Sequence, residues 1–133
     1  MWSFSKTSQA RLDTCHDDLQ VLARAVIAEQ DCTVICGHRN KYAQEAAVLM
    51  GNSKLNWPES RHNASPSMAI DLGPYPLDWD DLDGIITFAH LVMDIAGRLH
   101  ESGDMTHKIR WGGDWNMDGV IDRFFDGVHF ELV

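Results

Sequence analysis

Hydrophobic residues spaced by three and four positions mark three stretches of the chain, 8–29, 41–50 and 80–99. This is the period of an amphipathic helix, so each stretch is predicted to form one. The predicted inward faces consist of Leu12, Cys15, Leu19, Leu22 and Val26 in the first helix and Ile85, Phe88, Leu91, Val92 and Ile95 in the last. The middle helix is expected to stop at Gly51.

Short β-branched or apolar stretches between these helices predict strands. The clearest one is 32–36, with the sequence CTVIC, and Gly37 closes it. Three further strands are predicted at 67–72, 109–111 and 128–133. The Asn-, Ser- and Pro-rich segment 52–66 and the acidic segment 112–126 are predicted to be loops. Helices mostly precede strands in this order, which indicates an α+β protein.

Length and charge narrow the class of protein. The 133 residues are enough for one domain, taken as 1–133. The whole net charge of −9 lies in residues 71–133, which contain thirteen acidic and four basic residues. A nucleic-acid-binding protein would normally have the opposite sign, so that class is disfavoured. An acidic half fits a protein that binds divalent metals, and equally a solvated acidic surface.

The chain shows no sign of membrane insertion or export. It has no apolar run of membrane-spanning length, and its first residues lack the apolar stretch of a signal peptide. We therefore expect synthesis in a cytoplasm. Cys15, Cys32 and Cys36 are odd in number and form no CxxC pair. Reduced thiols are thus favoured over a disulfide framework or a thiol-rich zinc site.

Two histidines and an aspartate in separate segments form a candidate metal site. His62, Asp71 and His129 would provide three ligands and leave a fourth position for water, which is the layout of a catalytic zinc. Spacing alone is weak support, because seven histidines and fifteen aspartates allow many such trios. If these residues are not ligands, His62 would be a surface residue of a loop, Asp71 would form a turn, and His129 would be a partly buried strand residue.

The motifs around these residues resemble those of a known family. Ser60-Arg61-His62 with Asp71 resembles the SxH…D motif of the D-alanyl-D-alanine carboxypeptidase and L-alanyl-D-glutamate peptidase family, and 126–131 resembles its (D/E)xxHFE motif. Residues 36–39 with Gln44 are similar to its upstream arginine segment. The wider context, including residues 54–58 and 69–79, resembles the branch found in bacteriophage endolysins. Eight residues separate the first two candidate ligands, more than in many members of the family.

The resemblance implies both a fold and roles for individual residues. The implied fold is a small antiparallel sheet that carries the zinc site and packs against about three helices, as in the hedgehog and D-Ala-D-Ala peptidase group. His62, Asp71 and His129 would be zinc ligands, and Asp126 would be the catalytic carboxylate. Arg39 would steady the substrate or the developing oxyanion, where a cation lowers the energy of the transition state.

Glu131 and Ser60 allow more than one interpretation. Glu131 would point to the same face of a strand as His129, so it is either an alternative base or a support for that ligand. Asp126 is favoured over it as the base. Ser60 is given a supporting role near the site, with a solvated loop serine as the alternative. His38 is expected to lie beside the site or at the surface.

A second metal-binding pattern lies in the acidic segment. Residues 114–122 read D-x-N-x-D-G-x-I-D, the first nine positions of an EF-hand calcium loop. The predicted calcium ligands are Asp114, Asn116, Asp118, the Val120 carbonyl and Asp122. Position 12 is Phe125 rather than glutamate, so water or Asp126 would have to complete the shell. The alternative is an ordinary acidic turn. Calcium could order this loop and so position the catalytic strand.

The function implied by the resemblance is that of a zinc endolysin that cleaves the L-alanyl-D-glutamate bond of peptidoglycan stem peptides. The alternatives are a D-alanyl-D-alanine carboxypeptidase, a non-catalytic metal-binding module of the same fold and an acidic interaction protein. We expect a monomer without nucleic-acid or membrane partners. It would act on the wall, in the periplasm of a Gram-negative host, after holin-type release.

Overall fold

The computed structural model describes every residue from Met1 to Val133. It contains four α-helices, four β-strands and one short 3-10 helix. In chain order these are α1 (Lys6–Leu12), α2 (Asp17–Glu29), β1 (Cys32–Cys36), α3 (Lys41–Leu49), the 3-10 helix (Arg61–Asn63), β2 (Ala69–Pro74), α4 (Leu82–Ser102), β3 (Ile109–Trp111) and β4 (His129–Leu132). None of the helices has the length and apolar character needed to cross a membrane.

The predicted single helix over 8–29 is wrong, because the chain breaks there into α1 and α2. Between them Cys15 forms a parallel β-bridge with Ser67, and the backbone N–H of His16 donates to the Ser67 carbonyl at 2.9 Å. The hydrophobic period continues across the break because both helices face the same core. The number of helices is therefore four rather than about three.

The other predicted elements are confirmed, with ends shifted by up to three residues, and so is the α+β class. All neighbouring strands of the sheet are antiparallel, in the order β1-β2-β4-β3. Asp71 lies opposite His129 and also pairs with Cys36 across a bulge in β1. Ala69 lies opposite Glu131.

Alternation along the strands gives the sheet two different faces. Ile70, Leu72, Phe130 and Leu132 are completely buried in the core that α2 and α4 complete. The core residues supplied by these two helices include Leu19, Leu22, Val26, Phe88 and Val92. The intervening strand residues point to the opposite face, so a rigid sheet carries the polar candidate residues side by side.

Candidate metal centre

The short 3-10 helix holds His62 in place through its N-terminal cap. The Ser60 hydroxyl accepts a hydrogen bond from the His62 backbone N–H at 3.2 Å, and the Asn63 side chain accepts one from Ser60 N–H at 3.0 Å. The His62 carbonyl also accepts from the Arg39 N–H at 2.8 Å. The backbone of His62 is thus fixed on both sides although it lies outside the sheet.

Three donor atoms converge where His62 meets the sheet. His62 Nε2 and His129 Nδ1 each lie 3.2 Å from Asp71 Oδ1, and the two nitrogens are 3.3 Å apart. A tetrahedral zinc site with bonds of about 2.0–2.1 Å has edges of about 3.3 Å between ligand atoms. The residues present therefore have the donor chemistry and the spacing that a zinc ion requires.

The outer nitrogen of each ring has a separate partner. His62 Nδ1 lies 2.7 Å from the Gly37 carbonyl, and His129 Nε2 lies 2.8 Å from Glu131 Oε1. When each ring donates its N–H to that outer oxygen, the inner nitrogen keeps a lone pair for a metal. The surrounding contacts thus select the tautomers that a metal centre needs.

The Asp71 carboxylate favours positive charge on the two histidine rings. Burial opposes a charge on His62, but the Asp71 carboxylate outweighs it and raises the pKa of His62 to about 10. Burial likewise opposes a charge on His129, and hydrogen bonds to Asp71 and Glu131 raise its pKa to about 9. Burial would raise the pKa of Asp71, yet the two histidines hold it well below its usual range.

The two further carboxylates of the site differ in their surroundings. Burial and the Asp71 charge raise the pKa of Asp126, whose Oδ2 lies 4.0 Å from His129 Nδ1. Burial would also raise the pKa of Glu131, but His129 and Arg61 lower it. Arg61 Nε lies 3.0 Å from Glu131 Oε2. Both oxygens of Glu131 are thus engaged by neighbouring side chains, and the pKa values of the two carboxyl groups shift in opposite directions.

A buried glutamine aims Arg39 into the same cleft. Arg39 Nη1 donates to Gln44 Oε1 at 2.9 Å, and Nη2 lies 3.9 Å from Asp71 Oδ2. Gln44 is completely buried and donates in turn to the Leu55 carbonyl at 2.6 Å and to Ser53 Oγ at 2.9 Å. Gln44 therefore fixes the guanidinium of Arg39 and the neighbouring loop together.

The cleft around the cluster has a volume of about 640 Å³. The Trp115 ring tilts over His129 with a centroid distance of 5.3 Å and stacks on Phe124 at 5.8 Å. Lys54 Nζ lies 4.5 Å from the centre of the Phe124 ring. The sequence predicted no role for these three wall residues: Trp115 occupies a variable position of the calcium pattern, Lys54 belongs only to the wider segment that resembles phage endolysins, and Phe124 belongs to no motif.

Cys36 and His38 occupy the edge of the site. All three cysteines are free, and Cys36 faces the cleft with Sγ 3.7 Å from Arg39 Nη2. Burial opposes ionisation of Cys36, but the His62 hydrogen bond outweighs it and lowers the thiol pKa. His38 Nδ1 lies 2.8 Å from the Ala64 carbonyl, so this ring is held by a loop outside the three-residue cluster.

The acidic loop is folded by its own backbone. The Asp114 carboxylate accepts from Asp118 N–H at 3.1 Å and from Gly119 N–H at 2.8 Å, and Asp122 Oδ2 accepts from Trp115 N–H at 2.6 Å. Oxygens of the three aspartates lie within 4.8 Å of one another. The Asn116 side chain donates to Asp118 at 3.1 Å, while Asp126 groups with Asp71 and His129 instead.

The fold and the site together define an α+β protein with a candidate metal centre in an open cleft. A family model described as phage L-alanyl-D-glutamate peptidase matches residues 1–133, so the chain belongs to this family. Its structure is similar to that of the Serratia marcescens L-Ala D-Glu endopeptidase ChiX, with a TM-score of 0.72 and 24% identity over 98% of this chain and 90% of that one. At this identity the likeness supports the fold. Comparison with curated proteins found no similar sequence.

Proposed function

We propose that the chain is a zinc-dependent endopeptidase that hydrolyses the L-alanyl-D-glutamate bond of peptidoglycan stem peptides. Family membership over all 133 residues supports the substrate class and a single catalytic domain. The observation that carries the zinc assignment is the triangle of His62, Asp71 and His129 donor atoms, with sides of 3.2–3.3 Å. Those three residues would hold the ion.

The chain's own groups can perform the proton transfers of hydrolysis. A zinc ion at this position would supply Lewis acidity and lower the pKa of its water to about 7. Asp126 would accept the proton from the attacking water and deliver it to the leaving amine as the C–N bond breaks. Its raised pKa brings it closer to neutrality, where a group that both accepts and returns a proton works best.

Arg39 and Glu131 would assist without carrying the proton. The Arg39 guanidinium faces the cleft beside Asp71 and would stabilise negative charge that grows on the scissile carbonyl oxygen. Glu131 would keep the His129 ring in the orientation and tautomer required for a ligand. Ser60 would act indirectly, because its hydroxyl group accepts a hydrogen bond from the His62 backbone N–H and so holds that residue in position.

A metal-loading experiment tests this proposal. The protein is stripped of metal with a chelator and reloaded with zinc. It is then assayed for bound metal and for cleavage of a soluble peptide that contains the L-alanyl-D-glutamate bond. We expect one zinc per chain and activity that is lost and regained with it. Asp126→Asn should keep the zinc and lose about 10²–10⁴-fold in kcat.

Asp94→Asn, an exposed carboxylate on α4, is the matched control and should behave as the wild type. Full activity after zinc removal would contradict the metal assignment, and an unaffected Asp126→Asn would contradict the role of that residue. Release of D-alanine from a pentapeptide would favour the carboxypeptidase alternative. Zinc binding without any hydrolysis would favour a non-catalytic module.

We also propose calcium binding by the acidic loop. The motif supports it, together with the turn in which Asp114 accepts from Asp118 and Gly119. The carboxylates of Asp114, Asp118 and Asp122, the Asn116 side chain and the Val120 carbonyl would be the ligands. Since Trp115 links this loop to the His129 ring, calcium would influence the zinc centre through that contact.

The cellular setting follows from the proposed reaction. We propose a monomer that reaches the host wall after a holin-type lesion in the membrane. Added from outside, the protein should lower the turbidity of Gram-negative cells with permeabilised outer membranes and leave intact cells unchanged. Equal lysis of both would contradict this route.

A further inference from the structure

The two ends of the cleft differ in chemistry along the direction of β2. Because β1 and β2 are antiparallel, the residues that follow β1 lie beside the start of β2, and Ser67 Oγ contacts the Gly37 carbonyl at 3.4 Å. Arg39 lies at this end, and so does Arg61, which pairs with Glu131 opposite Ala69. The end of the cleft before Asp71 therefore carries two guanidinium groups, one beside Asp71 and one paired with Glu131, and we call it the cationic end.

The end of the cleft beyond Asp71 is apolar. Gly73 shares the site face of β2 with Asp71, and a Cβ placed there would lie 3.0 Å from Leu77 Cδ1, 3.3 Å from Ile35 Cδ1 and 3.7 Å from Val128 Cγ1. Trp79 also lines the cleft and is 61% exposed. An exposed large aromatic ring in a groove is a feature of ligand-binding surfaces.

The proposed substrate has the same asymmetry on either side of the scissile bond. On the amine side, D-glutamate carries a free carboxylate next to the bond. On the acyl side, the L-alanine nitrogen is joined to the lactyl group of N-acetylmuramic acid, so a sugar ring lies one residue away. Charge complementarity places the carboxylate at the cationic end and the sugar at the apolar end.

We propose that Trp79 is a platform for the muramic-acid sugar ring and makes the site selective for stem peptides that are still attached to glycan. This inference rests on the proposed L-alanyl-D-glutamate cleavage. A sugar ring has an apolar C–H face that can lie on the negative face of an indole. In a D-Ala–D-Ala substrate the sugar would lie several residues from the scissile bond, out of reach of this position.

The residues next to Trp79 support this orientation. Asp78, Asp80 and Asp81 flank it in the sequence. All three are exposed and none lines the cleft, so they add negative charge near Trp79 that would disfavour a substrate carboxylate there. Charge and apolar surface therefore select the same direction for the bound chain.

Two substrates that differ only in the sugar test the proposal. One is a muropeptide with N-acetylmuramic acid on L-alanine, and the other is the same stem peptide with a free or acetylated N-terminus. For Trp79→Ala, we expect the ratio of kcat/KM for the muropeptide to kcat/KM for the peptide to fall about tenfold, mainly through KM. Trp79→Phe should restore most of the ratio, since a ring remains.

Trp57→Ala is the matched control, because Trp57 is an exposed tryptophan, 41% accessible, that does not line the cleft. It should keep the wild-type ratio. If the ratio of the two kcat/KM values is the same in Trp79→Ala as in the wild type, Trp79 is not a platform for the sugar. This holds whether both kcat/KM values fall together or neither changes. If the wild type cleaves neither substrate, the proposed function itself fails. If both substrates are cleaved and Trp79→Ala leaves the ratio unchanged, only the platform proposal fails.

Discussion

The sheet-borne cluster and the acidic loop are both candidate metal sites, but they are built in opposite ways. His62, Asp71 and His129 come from three elements; the outer nitrogen of each histidine has its own oxygen partner, and the outer Asp71 oxygen lies 3.9 Å from Arg39 Nη2. The acidic loop uses neighbouring residues, and its carboxylates are held mainly by backbone N–H groups of the same turn. The cluster depends on the whole fold, whereas the loop depends on local sequence.

This difference determines how strongly the substitution of one residue affects each site. A carboxylate between two buried histidines compensates charge that water cannot reach, so its loss affects the entire site. An exposed carboxylate in a turn is solvated with or without its partners. Substitutions in the cluster should therefore have far larger effects than those in the loop.

The largest effect is expected from Asp71→Ala. It removes Asp71 Oδ1, the proposed zinc ligand that contacts both histidine rings. Zinc binding should therefore be lost, and activity should fall by at least about 10³-fold. Metal content and kcat/KM measure this change. The comparison with the loop fails if Asp71→Ala keeps stoichiometric zinc while Asp118→Ala loses it.

A smaller effect is expected from Glu131→Gln, which weakens the hold on the His129 ring. Loss of such a supporting partner costs about 10–100-fold in metal affinity or activity. Zinc affinity measured by competition with a chelator should fall, and added zinc should recover much of the activity. Glu101→Gln, an exposed glutamate on α4, is the control. A variant that binds zinc normally yet loses activity as severely as Asp126→Asn would instead identify Glu131 as the base.

The pH dependence of stability should separate the metal-free from the zinc-loaded protein. The pKa values of His62 and His129 are raised from 6.5 to about 10 and about 9, so their protonation stabilises the metal-free fold below pH 6.5. That contribution is lost as the pH rises toward 9–10. The lowered pKa of Asp71 contributes above its ordinary value of 3.8 and is lost as the pH falls.

Zinc requires unprotonated rings, so its stabilising effect should grow as the pH rises. We expect the gain in Tm on adding zinc to increase by at least about 4 °C between pH 6.5 and 8.5. Thermal unfolding with and without zinc measures it. A gain that is constant or declines over this range would mean that zinc is held elsewhere.

The smallest effect on stability is expected from Asp118→Ala in the acidic loop. The side chain is exposed, so the metal-free free energy of unfolding should stay close to that of the wild type. The calcium dependence of activity should weaken at the same time. Calcium titrations of wild type and Asp118→Ala measure it, and identical profiles would contradict a role for calcium in the loop.

The sequence predicted the strands and most of the helices because their hydrophobic periods match their buried faces. It missed the break near Cys15, since α1 and α2 bury the same face and only the distant Ser67 backbone reveals the interruption. His129 and Glu131 could be anticipated on one face because strand alternation places them there, whereas Asp71 was grouped with them only through the resemblance of the motifs. The Arg61–Glu131 pair and the Trp115–His129 contact could not, because both depend on tertiary packing between loops and strands.

The most direct measurement is mass spectrometry of purified peptidoglycan digested by the zinc-loaded protein and by the chelated protein. Stem peptides with a new N-terminal D-glutamate, formed only in the zinc-loaded sample, are the predicted result. Release of D-alanine, no product at all, or the same product after zinc removal would contradict the account.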